Sequence, residues 1–280
     1  MKRLAFCVVA IAATLAAVGP ARAITGGELD GNNHPNVALI YFYQPDGRFR
    51  CSATLVSPTV LVTAAHCTAG TRGKTIVTFD SVAPSPIPRA ADDAGDGFSQ
   101  TGFTSTPTGW LAGTAHAHPL WADKLQLNNL HDVGVVVLDQ PYTAATPATL
   151  APAGYLETLS QGNGGINKQQ FELVGFGVFF EKPSDGPQKP ASVADRTRRF
   201  TTAVGQNIST QVLKLAENAK DSRGGGGSCF GDSGGPAFHN GMLVGDTSYG
   251  ASQFCRSAGA YYRLDTEDAR AFLDDFVTLP

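Results

Sequence analysis

Val37-Ala38-Leu39-Ile40-Tyr41-Phe42-Tyr43 is an unbroken apolar and aromatic run, and Gln44-Pro45-Asp46-Gly47-Arg48 separates it from a second one, Phe49 to Val56. Pro, Asp and Gly between two β-rich runs predict a hairpin. Working outward, Leu61 to Ala65, Thr75 to Val82, Val133 to Leu138, Phe171 to Phe180, Met242 to Thr247 and Ala258 to Leu264 repeat the pattern. Segments of helical period are scarce, and glycine is used 32 times. About ten short strands at this spacing predict an all-β fold built as barrels or sandwiches rather than βαβ units. With 280 residues, 42% hydrophobic and 16% charged, the chain holds enough apolar material for a core and too little charge for disorder.

Three stretches break the rhythm. Residues 83 to 119, rich in Pro, Gly, Ser, Thr and Asp, predict a long surface insertion, and 183 to 190 a second, Pro-rich loop. Near the end, Ala269, Phe272, Leu273 and Phe276 share one face at helical spacing, so a helix over about 266–277 is expected, with Asp265 as its cap.

The first 23 residues differ in kind. Lys2 and Arg3 precede an apolar run, Leu4 to Val18, and Ala21-Arg22-Ala23 offers small residues where a signal peptidase reads. The run is short for a membrane span of about 20 residues. Removal is therefore expected, giving an exported chain, extracellular or periplasmic, that starts at Ile24 and has no membrane attachment. Losing Lys2, Arg3 and Arg22 from 21 basic residues leaves 18 against 24 acidic, a net charge of −6. No basic face for nucleic acid arises from that balance. Cys7 departs with the signal, and Cys51, Cys67, Cys229 and Cys255 remain. An even number in an exported chain reads as disulfides, with three possible connectivities, and no CxxC pair suggests zinc.

Gly231-Asp232-Ser233-Gly234-Gly235-Pro236 is the sharpest chemical signal. Serine is a weak nucleophile until a base takes its proton, and flanking glycines let backbone N–H groups turn toward an oxyanion. Thr63-Ala64-Ala65-His66-Cys67 ends one apolar strand with a histidine, and Asn129-Leu130-His131-Asp132-Val133 opens another with an aspartate. Three such motifs in the order His, Asp, Ser differ from the orders of α/β-hydrolases and subtilisins.

These residues resemble the trypsin/chymotrypsin family of serine endopeptidases, and the likeness runs from Ile24-Thr25-Gly26-Gly27 to the C-terminal helix. The resemblance implies two six-stranded antiparallel β-barrels, about 24–150 and 151–265, with the site in the cleft between them. It implies His66 as base, Asp132 as its orienter, Ser233 as nucleophile, and the N–H groups of Gly231 and Ser233 as the oxyanion hole. It pairs Cys51 with Cys67 and Cys229 with Cys255. It also implies that a freed Ile24 amine pairs with Asp232. Because Ile24 abuts Ala23, signal peptidase alone is expected to release that start.

Gly227, six residues before Ser233, stands where the resemblance puts the pocket floor, with Ser248, Tyr249, Gly250 and Gly259 along its walls and Phe230 at the rim. Without an acid at Gly227 the pocket is expected to be roomy and uncharged, favouring Phe, Tyr, Leu or Met over Arg or Lys. Substrates would be proteins or peptides, with a proteinaceous inhibitor as a further partner, and no cofactor. Two metal readings are set aside. The Asp92-Asp93-Ala94-Gly95-Asp96 stretch fails the EF-hand pattern, because Phe103 stands at the twelfth position. His116 and His118 have no evident companion ligand. Asn207-Ile208-Ser209 is a glycosylation sequon that a bacterial-looking signal makes moot.

Overall fold

The structure is a computed structural model that describes residues 24, 26–122, 129–162, 164–181, 191–218 and 225–280. The expected signal segment and the loop at 183–190 lie outside them.

After a short strand β1 (Glu28–Leu29), six strands close a first barrel: β2 (Val37–Gln44), β3 (Gly47–Ser57), β4 (Val60–Thr63), β5 (Arg72–Thr78), β6 (Leu111–Ala117) and β7 (Gly134–Leu138), in the order β2-β3-β4-β7-β6-β5. The predicted hairpin forms, with Gln44 paired to Gly47 and Val37 to Thr54. A two-residue strand β8 (Thr149–Leu150) and a helix α1 (Tyr155–Gln161) lead to β9 (Gln170–Gly175). A small hairpin follows, β10 (Phe179–Glu181) with β11 (Ala191–Val193), then β12 (Arg199–Ile208), β13 (Val212–Ala216), β14 (Pro236–His239), β15 (Met242–Gly250) and β16 (Ala258–Arg263). Strands β12-β13-β16-β15-β14-β9 form the second barrel, and the β12–β9 pairing closes it. All twelve barrel strands pair antiparallel, which gives the two-barrel, all-β fold. β1 adds to β12, so Glu28 and Leu29 join the second barrel's sheet although they precede the first barrel in the chain.

Burial of both faces explains why β2 is apolar from Val37 to Tyr43. Ala38, Ile40 and Phe42 face the interior of the first barrel with Leu55, Val77 and Val136. Leu39, Tyr41 and Tyr43 face outward, yet they too are buried, under Ala90, Phe103, Trp110 and Phe176. Each such side chain is worth roughly 1.5–3 kcal/mol when fully covered. The segment expected to be a surface insertion therefore divides in two. Its first part is a cover for the outer face of β2, and its end is β6, a member of the barrel. Asp92 and Asp93 hold the cover together: Asp92 accepts from Ser99, Gln100 and Thr101, and Asp93 from the Tyr43 hydroxyl and the amides of Gly95 and Gly97.

Between the barrels, Val37, Val62, Val135, Val174, Phe238 and Leu264 pack with Phe272 and Leu273 of the C-terminal helix α2 (Glu267–Asp274). The helix is where the spacing put it, but its cap is Thr266, whose side chain accepts from Ala269 N at 3.3 Å. Asp265 is unavailable for capping, because its carboxylate accepts from the Arg263 guanidinium and from Leu156 N.

Candidate active site

His66 sits in a single 3-10 turn, Ala65–Cys67, directly after β4, and Asp132 lies two residues before β7. Those strands pair with Thr63 opposite Gly134, so the barrel sets the two motifs side by side. The Asp132 carboxylate accepts from His66 N (2.9 Å), from His66 Nδ1 (2.9 Å to Oδ2) and from Ser248 Oγ (2.5 Å). Burial opposes charge on both groups. Their mutual attraction and these hydrogen bonds outweigh it, holding the Asp132 pKa below and the His66 pKa above the ordinary value. With Nδ1–H given to Asp132, the other ring nitrogen is the one free to take a proton.

Ser233 comes from the other barrel, on the loop before β14, and is half-buried. Ser52 of β3 anchors that loop: its amide donates to Ser233 O (2.8 Å) and its hydroxyl to Gly231 O (3.1 Å). Gly231 takes φ +98°, a backbone that disfavours side chains, and among the described residues neither its N–H nor that of Ser233 has a partner. Two unengaged N–H groups beside a nucleophile suit a developing oxyanion. Among the described residues no hydrogen bond joins Ser233 Oγ to His66; such contacts tighten when substrate is bound.

Asp232 points away from the cleft. Its carboxylate accepts from Gly177 N (2.7 Å) and Cys229 N (2.8 Å). Burial pushes its pKa up to about 6, against the pull of those amides and of Arg50. Ile24 is buried as well, and in the intact chain its nitrogen is the amide that follows Ala23. Both expected disulfides are formed, Cys51–Cys67 and Cys229–Cys255.

A cleft of about 450 Å³ opens beside Ser233, lined by Ser248, Tyr249 and Gly250 on one wall, by the second disulfide, and by Phe230 at the rim. The floor departs from expectation. Gly227 and Gly259 do not line the cleft, because Glu217 stands in front of both: a Cβ on Gly227 would lie 2.2 Å from Glu217 Cβ, and one on Gly259 2.1 Å from Glu217 Oε1. The floor carries an acid, so the premise of an uncharged pocket is corrected. Nothing near Ser233 in the sequence marks Glu217; only the β13–β16 pairing, which sets Leu215 opposite Gly259, brings it there.

Two further acids surround the site. Asp246 of β15 is fully buried, with both oxygens unpartnered among the described residues, and burial together with the Asp132 charge raises its pKa well above 3.8. His118 does have companions, though His116 is not among them: His118, His131 and Asp268 bring ligand atoms within 4.8 Å of one another. Both His131 nitrogens are engaged, with Asp268 (2.6 Å) and Asn129 (2.5 Å), so the group braces α2 against the loop that carries Asp132.

The family described as Trypsin matches residues 23–267. The chain belongs to the trypsin family. A trypsin of Saccharopolyspora erythraea is 31% identical over 271 residues, covering 89% of this chain and 99% of that protein. Brachyurin of Leptuca pugilator is 28% identical over 239 residues, covering 84% and 89%. Among solved structures, HL collagenase superposes with a TM-score of 0.62 at 15% identity over 90% of this chain and 98% of its own, a likeness of fold. As a trypsin-family member the chain is a serine endopeptidase, a hydrolase acting on peptide substrates.

Proposed function

We propose that the chain is an exported endopeptidase in which Ser233 attacks the scissile carbonyl while His66 takes its proton. His66 then returns that proton to the leaving amine, and water releases the acyl group from Ser233 by the same route. Asp132 fixes the ring's tautomer and stabilises the imidazolium, and the amides of Gly231 and Ser233 receive the oxyanion. The observation that carries this reading is the buried Asp132 carboxylate, which accepts from His66 Nδ1 and from the hydroxyl of Ser248, a residue that lines the same cleft as Ser233.

Four cysteines paired as disulfides support export, since such bonds persist in oxidising compartments. Ile24 is the expected first residue of the exported form, with its amine on Asp232. A cleft of about 450 Å³ walled by Tyr249, Gly250 and a disulfide suits a large residue before the scissile bond, and Phe, Tyr, Leu and Met fit it. A proteinaceous inhibitor would occupy the same cleft.

A fluorophosphonate that labels the exported protein, with labelling lost in Ser233→Ala, is the test. An unlabelled native protein, or labelling that survives the replacement, removes Ser233 from the role. Refusal of every large residue on a peptide panel removes the pocket reading.

A further inference from the structure

We infer that Glu217 is the specificity-determining acid of this peptidase, its carboxylate receiving the cation of a lysine or arginine that precedes the scissile bond. The inference rests on the proposed Ser233 chemistry and deepens it. Glu217 is the one acid among the described residues that line the cleft, and it is 2% exposed. It follows β13 directly, with its amide bonded to Ser257 O at 3.0 Å, so its backbone is fixed in the pocket wall.

The surroundings are built to hold a charge. Ser228 Oγ donates to Oε1 at 2.9 Å, and the Tyr261 hydroxyl of β16 donates to the same oxygen. Gly227 and Gly259 leave the space that this side chain fills, and any larger residue at either position would strike it. A buried carboxylate is costly unless it is paired, and among the described residues the Ser228 amide and hydroxyl and the Tyr261 hydroxyl donate to it but no cation does. A long cationic side chain entering from the Ser233 side supplies the missing charge. An uncharged side chain leaves the acid to take up a proton.

Both occupants are accessible near neutrality. Burial raises the Glu217 pKa to about 7, against the bonds from Tyr261 and Ser228, and the Asp232 charge adds to the rise. Tyr261 stays protonated, its own pKa pushed well above 10.0 by burial and by Glu217. Arg256, exposed at the mouth, is the one base among the described lining residues. The preference for uncharged residues expected from Gly227 alone therefore holds only while Glu217 is protonated. As pH rises through about 7, lysine and arginine gain over methionine and leucine.

The test uses one peptide sequence with Lys, Arg, Met or Leu before the scissile bond, and compares the exported protein with Glu217→Gln. At about two units above the Glu217 pKa, the replacement should lower kcat/KM for Lys and Arg on the order of 10²-fold, with Met and Leu within about threefold. In the unaltered protein the Lys-to-Met ratio should fall about tenfold or more on acidification to about two units below that pKa, and stay flat in Glu217→Gln. Equal losses for both classes, or a ratio indifferent to pH and to the replacement, overturn the inference. Binding of p-aminobenzamidine to Ser233→Ala, with and without Glu217→Gln, reads the pocket without turnover. Glu217-dependent amidinium binding in a protein that hydrolyses nothing would sink the peptidase reading alone. Hydrolysis after Met and Leu with no Glu217-dependent response to cations would sink this inference alone.

Discussion

Arg198 donates from Nε to Asp30 Oδ2 at 2.8 Å, and both side chains are wholly buried. The same guanidinium donates to Val37 O and Phe79 O of the first barrel, while residue 198 itself leads into β12 of the second. Asp30 keeps its ion pair with His34, so the cost of Arg198→Met falls on the buried carbonyls of Val37 and Phe79, which lose their donor, at about 1–3 kcal/mol for each in urea unfolding. A loss below about 1 kcal/mol would show that the seam between the barrels does not depend on these bonds.

Gly234 leaves no room for a side chain. At φ +73°, an added Cβ would lie 1.9 Å from Thr63 Oγ1 and 2.7 Å from both Ala64 N and Ser52 O. Gly234→Ala should therefore force the Ser233 loop away from the His66 turn. Catalytic efficiency should drop roughly a hundredfold, the scale of a misplacement of about 1 Å, with circular dichroism largely unchanged. Unaltered kinetics would show the loop to be more compliant than its packing implies.

Protonation of His66 should set the acid limb of the pH–rate profile measured under limiting substrate. Its pKa is raised by Asp132 above the ordinary 6.5, so activity on a Met or Leu peptide should rise with pH and reach half its plateau above that value. Asp132→Asn removes both the charge and the tautomer control. The limb should then move to lower pH while turnover falls roughly 10⁴-fold, as for the same change in the Ser-His-Asp template. A limb that stays in place would mean another group titrates.

Release of Ile24 should be visible in stability. In the uncleaved chain Asp232 has a pKa of about 6 against an ordinary 3.8. Between those values the folded chain binds more protons than the unfolded one, so stability falls as pH rises through that window. A free Ile24 amine beside the carboxylate would reverse that loss. Protein starting at Ile24 should exceed protein starting at Ala23 by on the order of 2–3 kcal/mol at neutral pH, the gap closing toward about pH 4. Equal stability at neutral pH, or N-terminal sequencing that finds another start, would exclude the pairing.

What could be read from the sequence had local causes. His66, Asp132 and Ser233 each sit in a short run whose chemistry is visible without the fold, and β2 with β3 is a hairpin whose turn residues declare it. Glu217 is different, because its role exists only once β13 lies against β16. The outer cover of β2 was invisible for a related reason: its contacts with Tyr41 and Tyr43 span long stretches of chain, while its composition is that of a loop. β6 escaped because Leu111–Ala117 is rich in small residues, as it must be where a Cβ on Gly113 would meet Val137 O at 2.6 Å. α1 had no cap to announce it, since Gly154 stands at its N-terminus with no side-chain bond.

Ser52 has a mechanical consequence. Its neighbour Cys51 is bonded to Cys67 beside His66, while Ser52 itself holds Ser233 O and Gly231 O and accepts from Phe176 N. Base and nucleophile, drawn from different barrels, are thus referenced to two consecutive residues of one strand. The cleft cannot gape like a jaw without tearing that shared ruler, so the spacing of the reacting groups is a property of β3 rather than of how the two halves happen to sit.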